Sequence, residues 1–302
     1  MYHFCTISTA DHLYKAHALY DSIRALHADC CLHVLIIDGK PSDPPNANIH
    51  YYGPDDVKEI SPAKKIVSKY GASKDKLRWC LKPLFLRYLL EHKAERVIYV
   101  DNDIYFHGDY GFLFDLLGHY DFLLTPHHYP RDPSKNQNWL EANFKVGLYN
   151  AGFIGVNSGA VPSLEWWAEC CAYRCEKSAL RGTFDDQKYL DLIPVMNEKA
   201  HIVRHKGCNV AEWNRTVIPR SEKDGKVLLD GQYPLIFIHY TGTTVRGIRD
   251  GLEPCLKKSF DAYFANLQKY KSDVTIEQLM DKPTYIHRIK FRIWKAATDW
   301  GL

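Results

Sequence analysis

Two carboxylates one residue apart end an apolar run in "VIYVDNDIYF", residues 97–106. A strand leaving a core needs one polar residue at its exit. Asp101 and Asp103, with Asn102 between them and Ile104-Tyr105-Phe106 resuming at once, ask for a partner. Carboxylates on alternate residues of an extended chain point the same way, so both can approach one ion. Hard oxygen donors suit Mg²⁺ or Mn²⁺, which bind through few carboxylates plus substrate phosphates. A lone D-x-D also arises by chance as a solvated strand exit, and the strand in front of this one strengthens the metal reading.

The elements that must hold these acids follow from hydrophobic pattern. "YHFCTIST" (2–9) reads as a first strand, and Leu13, Ala16, Tyr20, Ile23 and Leu26 step at helical spacing after it. "LHVLIIDG" (32–39) is a second strand, followed by a loop rich in Pro and Asn. A helix opening near Pro83 carries "PLFLRYLLEH" into the Asp101 strand. Strand, helix, strand, helix, strand predicts an α/β fold with helices on the sheet faces. Ligands of such sheets sit outside the carboxyl ends of the strands, where Asp101-Asn102-Asp103 lies. Further strands are expected at 120–126, 148–159 and 234–242, and a helix at 164–175 that carries Trp166 and Trp167 as core and surface residues.

Composition excludes several classes. The chain has 302 residues, 46% hydrophobic and 25% charged, with a net charge of +3, too small to argue for nucleic acid. Nine cysteines form no C-x-x-C and no zinc spacing, which suits buried thiols in a reducing compartment. "MYHFCTISTADH" is no signal peptide, and no run approaches the ~18 apolar residues of a membrane span. A cytoplasmic location is therefore expected, and the glycosylation pattern Asn214-Arg215-Thr216 is read as accidental. The tail "YIHRIKFRIWKAATDWGL" sets Ile286, Ile289, Ile293, Ala297 and Trp300 on one helical stripe, with Arg288, Arg292 and Lys295 opposite. Residues 285–300 thus read equally as a peripheral membrane contact at the inner membrane face or as a terminal helix packed on the domain.

"KPLFLRYLLEHKAERVIYVDNDIYFHGD" (82–109) resembles the DxD region of GT-A fold glycosyltransferases, most of all glycosyltransferase family 8 and related bacterial lipopolysaccharide or capsule enzymes. In that family a helix carrying an Arg, here Arg87, precedes the strand. "NAGFIGVNSG" (150–159) resembles the strand facing the donor sugar, giving Asn150 and Gly152 that role. "FDDQKYLD" (184–191) resembles the Asp-Gln-Asp helix start near the anomeric carbon, making Asp185, Asp186 and Gln187 the catalytic candidates. Which of the three acts is left open. "IHYTGTTVRG" (238–247) resembles the late motif whose His, here His239, is a metal ligand and whose loop, here Gly242 with Arg246, holds the diphosphate. Thr6, Ser8 and Asp11 in "TISTADHLY" are candidates for the nucleobase or ribose.

The resemblance spans about residues 2–250 and rests on the order of the motifs. It implies a mixed, mostly parallel GT-A sheet flanked by helices, with a catalytic domain at 1–250 and a helical extension at 251–302. It further implies retaining hexosyl transfer from a UDP-sugar to a glycan or glycolipid, with Asp101, Asp103 and His239 on the cation. Neutral imidazole tilts that cation toward Mn²⁺ over Mg²⁺.

Ordinary structural roles stand beside these. His239 fits a core histidine, Asp185-Asp186 a helix cap, and Gly152 a bulge. In "GCNVAEWNRTV" (207–217), Trp213 between Asn209 and Asn214 suits either core or sugar recognition. The sequence departs from the family at Lys188, which stands where a second acid is expected, and in lacking the late Lys. Two rival classes remain. A sugar-nucleotidyltransferase should carry a Gly-rich phosphate loop after the first strand, and "CTISTADHLYKAH" has no glycine. The other is a nucleotide-sugar-binding protein without turnover.

Overall fold

The computed structural model describes residues 1–39, 46–134 and 136–280. The expected tail helix at 285–300 lies outside these residues.

Twelve strands are described: β1 (Tyr2–Ser8), β2 (Cys30–Ile36), β3 (Ile49–Tyr52), β4 (Arg96–Val100), β5 (Ile104–Phe106), β6 (Phe122–Pro126), β7 (Tyr149–Asn157), β8 (Ala200–Ile202), β9 (Arg220–Lys223), β10 (Lys226–Leu229), β11 (Tyr233–Pro234) and β12 (Phe237–His239). Seven form the central sheet in the order β3-β2-β1-β4-β7-β6-β8. Only β7 runs antiparallel to its neighbours, β4 and β6, so the sheet is mixed and mostly parallel, as expected.

Alternation along the strands sorts side chains to two faces. Cys5, Ile7, Val97 and Tyr99 pack with Leu77, Leu81 and Phe85 of the Lys74–His92 helix and with Leu164 and Trp167 of the Val161–Tyr173 helix. Phe4, Ile98, Val100 and Phe153 pack with Ala16, Leu19 and Ile23 of the Leu13–Leu26 helix. Apolar runs buried on both faces are what a largely parallel sheet requires.

The helix before β4 begins earlier than its Pro suggests. It opens at Lys74, capped by the Ser73 hydroxyl, and Pro83 lies inside it. The missing N–H and the ring clash cost stability, but Leu77, Cys80, Leu81, Leu84 and Phe85 are all buried and hold the helix through that point. The late strand expected at 234–242 is also divided. It breaks into β11, β12 and a helix over Gly242–Arg249, and β12 pairs antiparallel with β5 in a small second sheet. Residues 251–280 fold back on the first helix: Phe260, Tyr263 and Leu267 of the Lys257–Tyr270 helix are buried with Tyr14 and Ala18. All nine cysteines are free thiols, and no helix among the described residues is long and apolar enough to cross a membrane.

Two buried histidines make stability depend on pH. Burial pushes both His33 and His127 down to about 3. The unfolded chain takes up their protons first, near the free value of about 6.5, so stability is complete above that pH and falls below it. Each contributes a loss of about 2 kcal/mol at pH 5 relative to pH 7. Asp186, raised to about 6 chiefly by burial, works the other way and returns about 1 kcal/mol as it protonates in the folded state. Urea midpoints in chelator should therefore be lower at pH 5 than at pH 7, and His127→Gln should flatten the dependence. Equal midpoints at the two pH values would contradict this.

Candidate functional site

The two acids converge through a turn rather than along an extended strand. Ile104 N–H donates to the Asp101 carbonyl at 3.0 Å, folding the chain between β4 and β5. This replaces the expected extended alternation and has two effects. Asn102 is directed to β1, where its Nδ2 donates to Ser8 Oγ at 3.1 Å. Asp103 is directed to β12, whose His239 is opposite Ile104 in the β5–β12 register, and Tyr240 N–H donates to the Asp103 carbonyl at 2.8 Å.

Three donors thereby meet from distant parts of the chain. His239 Nε2 lies 3.1 Å from Asp103 Oδ1 and 3.9 Å from Asp101 Oδ2, and all three ligand atoms fall within 4.8 Å of one another. Neighbouring ligands of an octahedral cation with ~2.1 Å bonds are about 3 Å apart, so the spacing suits one small divalent ion. Burial opposes the charge on each partner, but the His239–Asp103 attraction outweighs it. The Asp103 carboxyl falls well below its ordinary range, and His239 rises. A proton and a divalent cation thus compete for the same imidazole nitrogen.

The Trp213 ring meets the His239 imidazole edge-on at 5.4 Å, while Nδ1 is buried without a hydrogen-bond partner among the described residues, so no acceptor there orients the ring toward a metal. Gly152 leaves the space: a Cβ there would come 2.5 Å from His239 Cε1, 2.7 Å from Asn150 Oδ1 and 2.9 Å from Asp101 Oδ2. Asp101 N–H donates to the Gly152 carbonyl at 2.9 Å, which fixes that glycine against the acids. Gly152→Ala should therefore lower Mn²⁺ affinity at least tenfold while costing only ~1–3 kcal/mol of stability, the usual range for overpacking. Electron paramagnetic resonance of free Mn²⁺ during titration reads the first and thermal melting the second; wild-type affinity in the variant would contradict the geometry.

Behind the acids sits a cation that the sequence reading passed over. Lys82, only 3% exposed, places Nζ 3.4 Å from Asp101 Oδ1, 3.2 Å from Asp186 Oδ2 and 3.1 Å from the Ala151 carbonyl. Burial disfavours its charge, yet Asp101 and Asp186 outweigh burial and raise it. Tyr99 OH donates to Asp101 Oδ1 at 2.6 Å. Lys82, Arg78, Trp79, Tyr99 and Asp101 to Asp103 line a cavity of about 190 Å³, room for an ion with a phosphate but not for a whole nucleotide-sugar. A lysine inside the apolar run "CLKPLF" was the available signal.

Asp186 and Gln187 join this group to β7. Gln187 Oε1 accepts from Ala151 N–H at 3.1 Å, and its Nε2 donates to the Val146 carbonyl at 3.2 Å. Asn150 Oδ1 accepts from Gly152 N–H at 3.0 Å, and its Nδ2 donates to His127 Nε2 at 3.3 Å, with His127 Nδ1 turned to the Gly147 carbonyl. Trp167 Nε1 donates to the Asp186 carbonyl at 2.8 Å. Asp185 occupies the left-handed region (φ 49°) and lies 3.4 Å from Lys177 Nζ; burial raises its carboxyl.

Other sequence candidates are placed elsewhere. Arg87 does not join the acids: its guanidinium pairs with Glu91 at 2.7 Å and Glu165 at 2.9 Å, because residues 78 and 82, one helical turn apart, occupy the face toward Asp101. Asn209 and Asn214 are spent on structure, donating to Thr125 Oγ1 and to the Asn209 carbonyl. Thr6 is fully buried with its hydroxyl unpartnered among the described residues, while Asp11 is exposed. Gly242 opens its helix under a Thr241 cap, and Glu212 accepts from the hydroxyls of Thr241, Thr243 and Thr244 there. Arg246 lies half-buried one turn further on. Lys188 pairs with Asp191 at 2.7 Å, and Asp191 accepts from Leu148 N–H at 2.8 Å, so the residue at the family's acidic position secures a loop.

No protein-family model matches the chain. It is 27% identical over 261 residues to the uncharacterized protein YfnF of Bacillus subtilis, covering 82% of this chain and 83% of YfnF. Among solved structures it is similar to the galactosyltransferase LgtC in complex with donor and acceptor sugar analogues, at 14% identity and a TM-score of 0.45, covering 78% of this chain and 86% of that one. Mouse xyloside xylosyltransferase 1 in its apo form gives 14% identity and a TM-score of 0.47, over 79% of this chain and 97% of that one.

Proposed function

We propose that the chain is a divalent-metal-dependent glycosyltransferase that moves a hexose, with retention, from a UDP-sugar to a glycan or glycolipid in bacterial surface polysaccharide synthesis. Residues 1–250 form its catalytic unit. The observation that carries this reading is the meeting of Asp101, Asp103 and His239 at the carboxyl end of β4, beside the buried Lys82–Asp186 pair.

Transfer from a nucleotide-sugar breaks the anomeric C–O bond and leaves a diphosphate with new negative charge. Mn²⁺ held by Asp101, Asp103 and His239 would neutralise that charge as a Lewis acid. The chain's own residues do the rest. Lys82 holds Asp101 toward the ion, and Gln187 and Asn150 keep β7 and Gly152 against it. Asp186, raised to about 6, carries a carboxyl in the range useful for proton transfer near neutral pH. Asn102 and Ser8 bind the nucleobase or ribose side, with Asp11 in the turn that follows β1, while Thr6 lies fully buried behind them. Gly242 and Arg246 face the diphosphate, and a basic tail over residues 285–300 brings the acceptor's lipid within reach.

The test is a screen of nucleotide-sugars for hydrolysis and thermal stabilisation with and without Mn²⁺. One UDP-sugar stabilising the protein and turning over only with Mn²⁺ supports the proposal. Stabilisation without turnover on any acceptor or water indicates a binding protein, and formation of a nucleotide-sugar from a sugar phosphate and nucleoside triphosphate indicates a nucleotidyltransferase.

A further inference from the structure

We propose that His3, Cys31 and His33 form a second cation site, for Zn²⁺, at the end of the sheet opposite the Asp101 cluster. No zinc spacing is visible along the chain, because the three residues are assembled by strand pairing. In the parallel β1–β2 register, His3 is opposite Cys31 and Cys5 opposite His33, so His3, Cys31 and His33 project from the same face. The site lies five residues before Ser8 on β1, about 16 Å along the strand.

The ligand atoms already stand at coordination spacing. Cys31 Sγ is 3.1 Å from His3 Nδ1 and 3.4 Å from His33 Nε2, and the two nitrogens are 3.1 Å apart. A tetrahedral Zn²⁺ with bonds of about 2.0 Å to nitrogen and 2.3 Å to sulfur sets its ligand atoms about 3.3–3.5 Å from one another. The triangle is one face of such a tetrahedron, contracted by a few tenths of an ångström at most. A Cys/His₂ donor set is soft enough to prefer Zn²⁺ over the hard cation suited to Asp101 and Asp103.

The supporting shell is present as well. His33 Nδ1 is 3.0 Å from Tyr52 OH, which orients the ring and leaves Nε2 for the metal. Cys31 and His33 are each 2% exposed, while His3 is half-buried and opens the fourth position to water. His3 and His33 stack at 5.4 Å, with the exposed His50 ring 5.2 Å from His33. Binding converts the Cys31 thiol to a Zn-bound thiolate and releases its proton to water. The cation then staples the start of β1 to the start of β2.

Purified full-length protein and Asp103→Ala, which lacks the other cluster, should each retain one Zn²⁺ per chain at the new site after desalting. Co²⁺ in its place should show a near-ultraviolet thiolate-to-metal absorption that an Asp/Asp/His site cannot produce. Cys31→Ser should lose that absorption, and His3→Gln, a change at a half-exposed position that leaves the core intact, should weaken Zn²⁺ binding at least tenfold. Absence of the thiolate band in the Asp103→Ala protein, or Zn²⁺ binding unchanged in His3→Gln within that background, would show a metal-free hydrogen-bonded triad and overturn the proposal.

Discussion

Asp103→Ala is expected to abolish Mn²⁺-dependent UDP binding and to lower sugar transfer by about 10³-fold or more, the scale set by removing a principal electrostatic stabiliser of a leaving group. Asp103 is the acid nearest His239, at 3.1 Å, and their attraction holds it ionised in a half-buried place. Without it the site keeps one carboxylate and one imidazole, too few charges to hold Mn²⁺ against solvent. The lost ion pair also lets His239 return toward a neutral core histidine, so the fold should survive. Titration calorimetry of UDP with and without Mn²⁺, run beside a transfer assay, separates binding from turnover. The same UDP affinity in both conditions for the wild-type protein would sink the metal reading altogether.

Lys82→Met carries the largest expected loss of stability. The ammonium lies between Asp101 and Asp186 with almost no water. Removing one partner from a buried charge cluster costs about 3–5 kcal/mol, because the remaining carboxylates are left uncompensated. Asp186, already at about 6, should then titrate higher. The double variant Lys82→Met with Asp186→Asn should recover part of the loss, since the second change removes one of the stranded charges. Mn²⁺ should recover more in the single variant by meeting Asp101 from the other side. Chemical denaturation of wild type, Lys82→Met, Asp186→Asn and the double variant closes the cycle, and Lys82→Met within about 1 kcal/mol of wild type would refute the bridging role.

Much of this was legible in one dimension. Runs such as Val97 to Val100 and Phe153 to Val156 must be buried, and their alternation decides which side chains face which helix. The pattern of strands and helices was enough for an α/β sheet with helices on its faces, its mixed and mostly parallel order came from the resemblance, and Asp101 at a strand's carboxyl end marked a candidate site. Local chemistry misled at Pro83, where burial along a whole helix outweighs one missing hydrogen bond. The resemblance gave Arg87 the family's Arg role, but its guanidinium pairs with Glu91 and Glu165, because a residue five places from Lys82 lies on another face of the helix.

By itself, then, the sequence determined the long apolar strands β1, β2, β4, β6 and β7, the acidic exit from β4 and the kinds of atoms available for chemistry. Propensity, burial and spacing act over a few residues, and those features depend on nothing longer. Only the tertiary structure decided which of these atoms meet. His239 reaches Asp103 because β12 pairs with β5, Gly152 faces the acids through the β4–β7 ladder, and His3 meets Cys31 across β1 and β2. Lys82 lies between two carboxylates 85 residues apart, Asp101 and Asp186. Such meetings depend on long-range register, and a charge is stabilised or stranded by neighbours that no local pattern names.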